Sequence, residues 1–170
     1  MKKIKNKKGF TLTEMLVCVV TLLMVGAICA TGTGMSIKSY QQSKFESESQ
    51  SLKSTLETGI ADILRFTSDV KSEGQNVKFT NQYYQIEQGY IDVDAEGHFI
   101  VHQNGSATFA LVGSNAYAGD LYIVRDSAND EEDFTLTYQN NVFTGKYTIK
   151  SKTVNGLSKK CTFTYRTIAE

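Results

Sequence analysis

Hydrophobic and polar positions divide this chain into stretches of different period. From Met15 to Ala30 the run is almost unbroken apolar, and no charged residue falls between Glu14 and Lys38. A bilayer-spanning helix needs roughly 20 apolar residues. Phe10 to Met35 supplies 26 positions. Lys38 to Gln50 is polar almost all round, the composition of a neck between two bodies. Leu52, Leu56, Ile60, Ile63, Leu64, Thr67 and Val70 then recur at three- and four-residue spacing, which puts one apolar stripe on a helix. Ser51, Lys53, Ser54, Glu57, Thr58, Asp62 and Arg65 fall mostly on the opposite face. The spacing predicts a single helix over residues 10–72, with Gly74 as its stop.

Beyond Gly74 the period changes to two. Val77–Thr80, Tyr83–Glu87, Tyr90–Val93, His98–Gln103, Ala107–Val112, Leu121–Arg125, Phe134–Gln139, Val142–Lys150 and Leu157–Thr167 read as strands. Gln88-Gly89, Glu96-Gly97, Asn104-Gly105, Asn140-Asn141 and Asn155-Gly156 supply turn chemistry between most of them, and consecutive hairpins give antiparallel order. An amphipathic helix facing such a sheet predicts an α+β fold. The expected organisation is a basic segment 1–9, an apolar helix 10–35, a polar neck and amphipathic helix 36–73, and a β-rich head 74–170.

Charge changes the picture at one end only. The chain holds 18 basic and 18 acidic residues, but Lys2, Lys3, Lys5, Lys7 and Lys8 all precede Gly9. Without residues 1–9, 13 basic residues face 18 acidic ones, a net charge of −5. The lysines before an apolar helix predict a cytoplasmic N-terminus and an exported remainder. A mildly acidic exported domain lacks the clustered cations that neutralise phosphates, so no direct nucleic-acid partner is expected. Cys18 and Cys29 fall in the apolar segment, which leaves Cys161 as the one thiol of the head and permits no internal disulfide there. Its alternating neighbours Thr162, Phe163, Thr164 and Tyr165 predict a buried small hydrophobe rather than a nucleophile.

Glu14 stands out. A carboxylate at the start of a membrane-spanning helix costs free energy and implies a partner. Lys8-Gly9-Phe10-Thr11-Leu12-Thr13-Glu14 resembles the N-terminal signal of type IV prepilins and type II secretion pseudopilins, which share a basic leader, a Gly before the cut, Phe as first mature residue and Glu as the fifth. An ordinary signal peptide, with Ala27/Cys29 or Ala30/Gly32 at its cleavage site, is the alternative, and an uncleaved anchor another. A lipoprotein signal does not fit, because Cys18 follows Val17 and Cys29 follows Ile28.

The resemblance covers residues 2–30 and implies a course of events. A prepilin peptidase cuts between Gly9 and Phe10 and methylates the new Phe10 amine. A membrane assembly platform then draws the subunit into a filament of like subunits, with the apolar helices at its centre. Glu14 then pairs with the Phe10 ammonium, its own or a neighbour's, and an unpaired buried charge is costly enough for that pair to set register. Gly26, Ala30 and Gly34 form a small-residue ridge for close helix approach. Many pilins carry a proline in this stretch, whereas this chain has glycine and threonine. The resemblance implies a structural subunit of a pilus, a secretion pseudopilus or a competence pseudopilus. The absence of a disulfide loop from the head favours a minor one. An exported binding or enzyme domain held by an anchor is the reading of a different class.

Catalytic and metal chemistry is sparse in the head, and no enzyme is expected. His98 and His102 share a strand face but lie about 13 Å apart at about 3.3 Å per residue, too far to chelate one ion. Asp126, Asp130, Glu131, Glu132 and Asp133 form the one dense acidic cluster. Some pseudopilins hold Ca²⁺ in a C-terminal loop, which makes Asp126, Asp130, Glu131 and Asp133 the Ca²⁺ candidates. Their spacing departs from an EF-hand loop, since Ala128 occupies a ligand position, and a solvated acidic loop is the simpler expectation.

Overall fold

A computed structural model describes residues 11–73, 76–103, 107–125 and 133–168. Its elements are one long helix, α1 (Leu12–Arg65), followed by nine strands: β1 (Ser68–Glu73), β2 (Asn76–Asn81), β3 (Ile86–Val93), β4 (Phe99–His102), β5 (Thr108–Ala110), β6 (Leu121–Ile123), β7 (Thr135–Gln139), β8 (Val142–Ser151) and β9 (Ser158–Arg166). The chain divides into two units, Met1–Gln42 and Ser43–Glu170. The long N-terminal helix and antiparallel head are the α+β arrangement that the pattern predicts.

In the second unit the helical stripe is part of the core. Phe45, Ser49, Leu52, Leu56, Ile60, Ile63 and Leu64 are its buried positions, spaced three and four apart so that they share one side of α1. Two antiparallel sheets share the same buried cluster. One has the order β1-β2-β3-β4-β5; in the other, β8 is the central strand. β9 pairs along β8 from Val142 to Lys150, while β7 and β6 pair with the first and last parts of β8 on its other edge. Aromatic rings join the sheets. Phe79 of β2 meets Phe143 of β8 edge-on at 6.5 Å, and Phe99 of β4 meets Tyr147 of β8 at 5.4 Å. Offset and edge-on pairs of this kind add about 0.5–1.5 kcal/mol each beyond burial.

The helix stops earlier than its pattern suggests. α1 ends at Arg65, and the expected continuation to residue 72 is corrected, with Val70 in β1 instead. The last carbonyls of a helix have no intrahelical donor and need partners from elsewhere. Here the Thr67 hydroxyl donates to the Leu64 carbonyl (2.9 Å), Asn81 Nδ2 to that of Ile63 (2.7 Å) and the Ile168 amide to that of Arg65 (3.0 Å). β1 begins at once, and Asp69, within its irregular first part, has a positive φ of 46°. Gly74 lies outside the described residues.

Two turn assignments are also corrected. Gln82–Gln85 is a turn rather than part of a strand, and Gln88-Gly89 lies inside β3, where Gly89 pairs with Phe79. A Cβ on Gly89 would collide with the His102 carbonyl oxygen, so this glycine serves close strand approach and not a turn. The Asn140-Asn141 turn is as expected: both residues have positive φ (53° and 63°), the type I′ requirement, and Gln139 pairs with Val142. Gly97, at φ 84°, closes the β3–β4 turn, and its carbonyl accepts the Ile123 amide at 2.8 Å, a backbone bond between the two sheets.

Asp120 ties the loop after β8 to the segment before β6. Its carboxylate accepts from the Ser151 hydroxyl (2.8 Å) and the Thr153 amide (2.9 Å). Burial acts to raise its pKa, but these hydrogen bonds, helped by the Lys44 charge, outweigh that and hold it below the usual carboxylate value. The stabilisation is therefore present above the ordinary Asp pKa and is lost as pH falls through the lower folded value. Asp120→Asn should lower stability at pH 7 by about 1 kcal/mol, a charge-assisted hydrogen bond discounted for solvent exposure. The gap to wild type should close in urea melts taken below about pH 4.

A second measurement tests the core. A fragment beginning at Lys38 keeps Leu52, Leu56, Ile60, Ile63 and Leu64, each contributing about 1.5–3 kcal/mol when fully buried. One beginning at Asn76 loses them together with β1. The first should be soluble and melt cooperatively, and the second should aggregate; equal melting would show that the stripe does not hold the sheets.

Candidate functional site

The start of α1 is organised by two side chains. Thr11 precedes the first helical residue, and its backbone amide donates to Glu14 Oε2 at 2.8 Å. The Thr11 hydroxyl donates to the same oxygen at 2.8 Å, and the Glu14 amide lies 3.3 Å from that hydroxyl. This is the reciprocal arrangement of a capping box, in which two helix-terminal N–H groups are satisfied at once. The Thr-x-x-Glu spacing is legible in the sequence as a helix start, a role of Glu14 that the prepilin resemblance alone does not suggest. Both Thr11 contacts use Oε2, and among the described residues Oε1 has no donor. Gly9 and Phe10 lie outside the described residues.

The next two dozen residues present apolar side chains to the outside. Met15, Leu16, Val17, Leu22, Leu23, Met24, Val25 and Ile28 are all more than half exposed. α1 is long and apolar enough to cross a membrane. Its hydroxyl groups turn inward to the backbone, as apolar surroundings require. Thr21 donates to the Val17 and Cys18 carbonyls, Thr31 to those of Ala27 and Ile28, and Ser36 to that of Gly32. Around Gly26, Gly32 and Gly34 the space that a Cβ would fill is open, so the ridge of Gly26, Ala30 and Gly34 faces outward with room for a close neighbour.

In the head the sequence candidates remain apart. His98 lies tilted by 39° against Tyr117, with ring centroids 4.2 Å apart, and Asp94 and Glu96 are 3.9 and 3.8 Å from its Nδ1. His102 stacks on Tyr90 at 4.3 Å, with Asp92 at 3.9 Å. Each histidine thus has acidic neighbours that its sequence surroundings only partly suggest, brought in by turns and cross-strand pairing. Among the described residues no three His, Cys, Asp or Glu side chains converge on a common point. Of the Ca²⁺ candidates, Asp133 lies among the described residues, half-buried, whereas Asp126, Asp130 and Glu131 lie outside them. Cys161 is buried in β9, and burial pushes its thiol pKa up against the opposing influence of Lys53, Tyr147 and Lys159. A thiol held protonated in the core is inert, in keeping with the packing role its alternating neighbours predict.

A feature that sequence reading does not find lies at the other end of α1. Asp62, Phe66, Ser68, Gln82, Tyr83 and Tyr84 line one open hollow. They come from the helix end, β1 and the β2–β3 turn, and no spacing in the chain brings them together.

Comparison with protein-family models, with curated proteins and with solved structures finds no match.

Proposed function

We propose that this chain is a structural subunit, of the minor type, of a type IV pilus-like filament or a secretion or competence pseudopilus, and not an enzyme. The observation that carries the reading is the run Lys8-Gly9-Phe10-Thr11-Leu12-Thr13-Glu14, whose last three residues open a helix that goes on to expose its apolar side chains. A surface of that kind is stable in lipid or against like helices, and water disfavours it at about 25 cal/mol per Å². The antiparallel head that follows supports the reading by architecture.

On this reading a prepilin peptidase releases residues 1–9 and methylates Phe10. The head stands outside the cytoplasm on a single-pass anchor, and a platform in the membrane passes the subunit to a filament of like subunits. The filament serves secretion, DNA uptake or adhesion. Glu14 has a second task here. Thr11 already holds its Oε2, so the carboxylate is oriented, and Oε1 can receive the ammonium of a mature Phe10 from its own or a neighbouring chain.

Processing tests the assignment directly. N-terminal sequencing of the mature protein should begin at Phe10, whereas a start near residue 30 indicates signal peptidase and a tethered domain. Gly9→Val should leave a membrane-bound precursor of unchanged topology, because the lysines and apolar helix remain. Normal cleavage of that variant on a blot would remove the prepilin assignment.

The two tasks of Glu14 can be separated. Thr11→Val removes the capping hydroxyl and keeps the carboxylate, costing about 0.5–2 kcal/mol of helix-end stability. Glu14→Ala removes both. Cross-linking of processed subunits in membranes should show Thr11→Val assembling near the wild-type level and Glu14→Ala several-fold less. Equal loss in both would mean that Glu14 acts only as a cap.

A further inference from the structure

Phe66 and Tyr83 keep 57% and 82% of their surfaces exposed, unusual for side chains whose burial is worth so much. Both line the hollow at the end of α1, whose volume is about 860 Å³. The backbone of the Tyr83 turn is tied to the helix. Asn81, fully buried, donates Nδ2 to the Ile63 carbonyl at 2.7 Å and accepts the amides of Tyr83 and Tyr84 at 3.0 and 3.2 Å. One buried amide therefore fixes the aromatic turn on the last turn of the helix. The rings of Tyr83 and Tyr84 stand edge to face, with centroids 5.0 Å apart, which props the exposed ring in place.

Among the described residues that line the hollow, Asp62 is the charged one. Asp62 is exposed, and its carboxylate has no hydrogen bond or ion pair among the described residues. Arg65, the cation of the last turn, is not among the lining side chains and bears on the Tyr165 hydroxyl. The faces of aromatic rings carry partial negative charge. The Asp62 carboxylate and the π-electron density of the lining aromatic rings both favour a cation.

We propose that this hollow binds a small organic cation of the quaternary ammonium type. Such a cation is weakly hydrated and wears an apolar methyl coat, so it can lie against ring faces while its charge answers Asp62. A strongly hydrated ammonium gives up more on leaving water. A divalent metal would need several converging oxygen ligands, which three aromatic rings do not offer. A purely apolar occupant would strip water from Asp62 and leave its charge unanswered. Gln82 and Ser68 add hydrogen-bonding capacity for a hydroxyl carried by the same molecule.

The test uses the full-length chain in nonionic detergent, with tetramethylammonium and choline as probes, followed by saturation transfer from protein to the N-methyl protons. Transfer is expected for both probes. Tyr83→Ala and Asp62→Asn should each weaken binding about fivefold or more, while Tyr83→Phe, which keeps the ring, changes it little. Both positions are exposed, and unchanged circular dichroism would confirm that the variants fold. The uncharged analogue of choline, with a quaternary carbon in place of nitrogen, should bind several-fold more weakly. Absence of transfer, equal binding of the uncharged analogue, or full retention in Asp62→Asn would each overturn the proposal. None of these outcomes depends on the processing or assembly of the N-terminal segment.

Discussion

Burial of one helical stripe is the constraint on which the head depends. Leu52, Leu56, Ile60 and Leu64 are fully enclosed, and they belong to the same buried cluster as the inward residues of both sheets. The aromatic contacts between β2, β4 and β8 join the two sheets, and the stripe is buried in the same cluster as those rings. The polar residues follow from this. Ser49 lies fully buried on the same stripe, and its hydroxyl returns to the Glu46 carbonyl at 3.1 Å, so the stripe carries no unpaired group there.

The first part of α1 obeys the same rule with the opposite surroundings. Its apolar side chains point outward and its hydroxyls fold back onto carbonyls one turn away. The backbone and polar groups are thus satisfied within the segment, the condition that a hydrocarbon environment imposes. Glu14 is the exception, and the capping contact with Thr11 answers only part of it. A carboxylate with one oxygen held by Thr11 and the other without a partner among the described residues is the feature that links the physical reading of this helix to the proposed assembly role.

How much was legible follows from the range of the interactions concerned. The change from helical to alternating period, the Asn140-Asn141 hairpin and the packing role of Cys161 are written in neighbouring residues, and they read correctly. The end of α1 is not. Thr67 and Val70 continue the apolar spacing, and what stops the helix is its capture by Asn81 and Ile168, distant in sequence. Gln88-Gly89 carries turn chemistry but serves a close contact with β4 that only the folded sheet creates. The hollow beside Phe66 was invisible for the same reason, since Asp62 and Tyr83 belong to elements joined only by tertiary contacts. The Thr11–Glu14 box, by contrast, is local and could have been read.

Asn81 has a consequence for how the strands find their alignment. Along β2 the inward positions are Val77, Phe79 and Asn81, so a slip of one residue would turn all three to the other face. For the two apolar side chains an alternative position is merely less favourable. For Asn81 it would break the bond to the Ile63 carbonyl and leave that helix-end group without its donor. A polar side chain in the core thus acts as a proofreader: misaligned pairings of β2 are penalised by an unmet hydrogen bond, a sharper discrimination than greasy surface alone can provide.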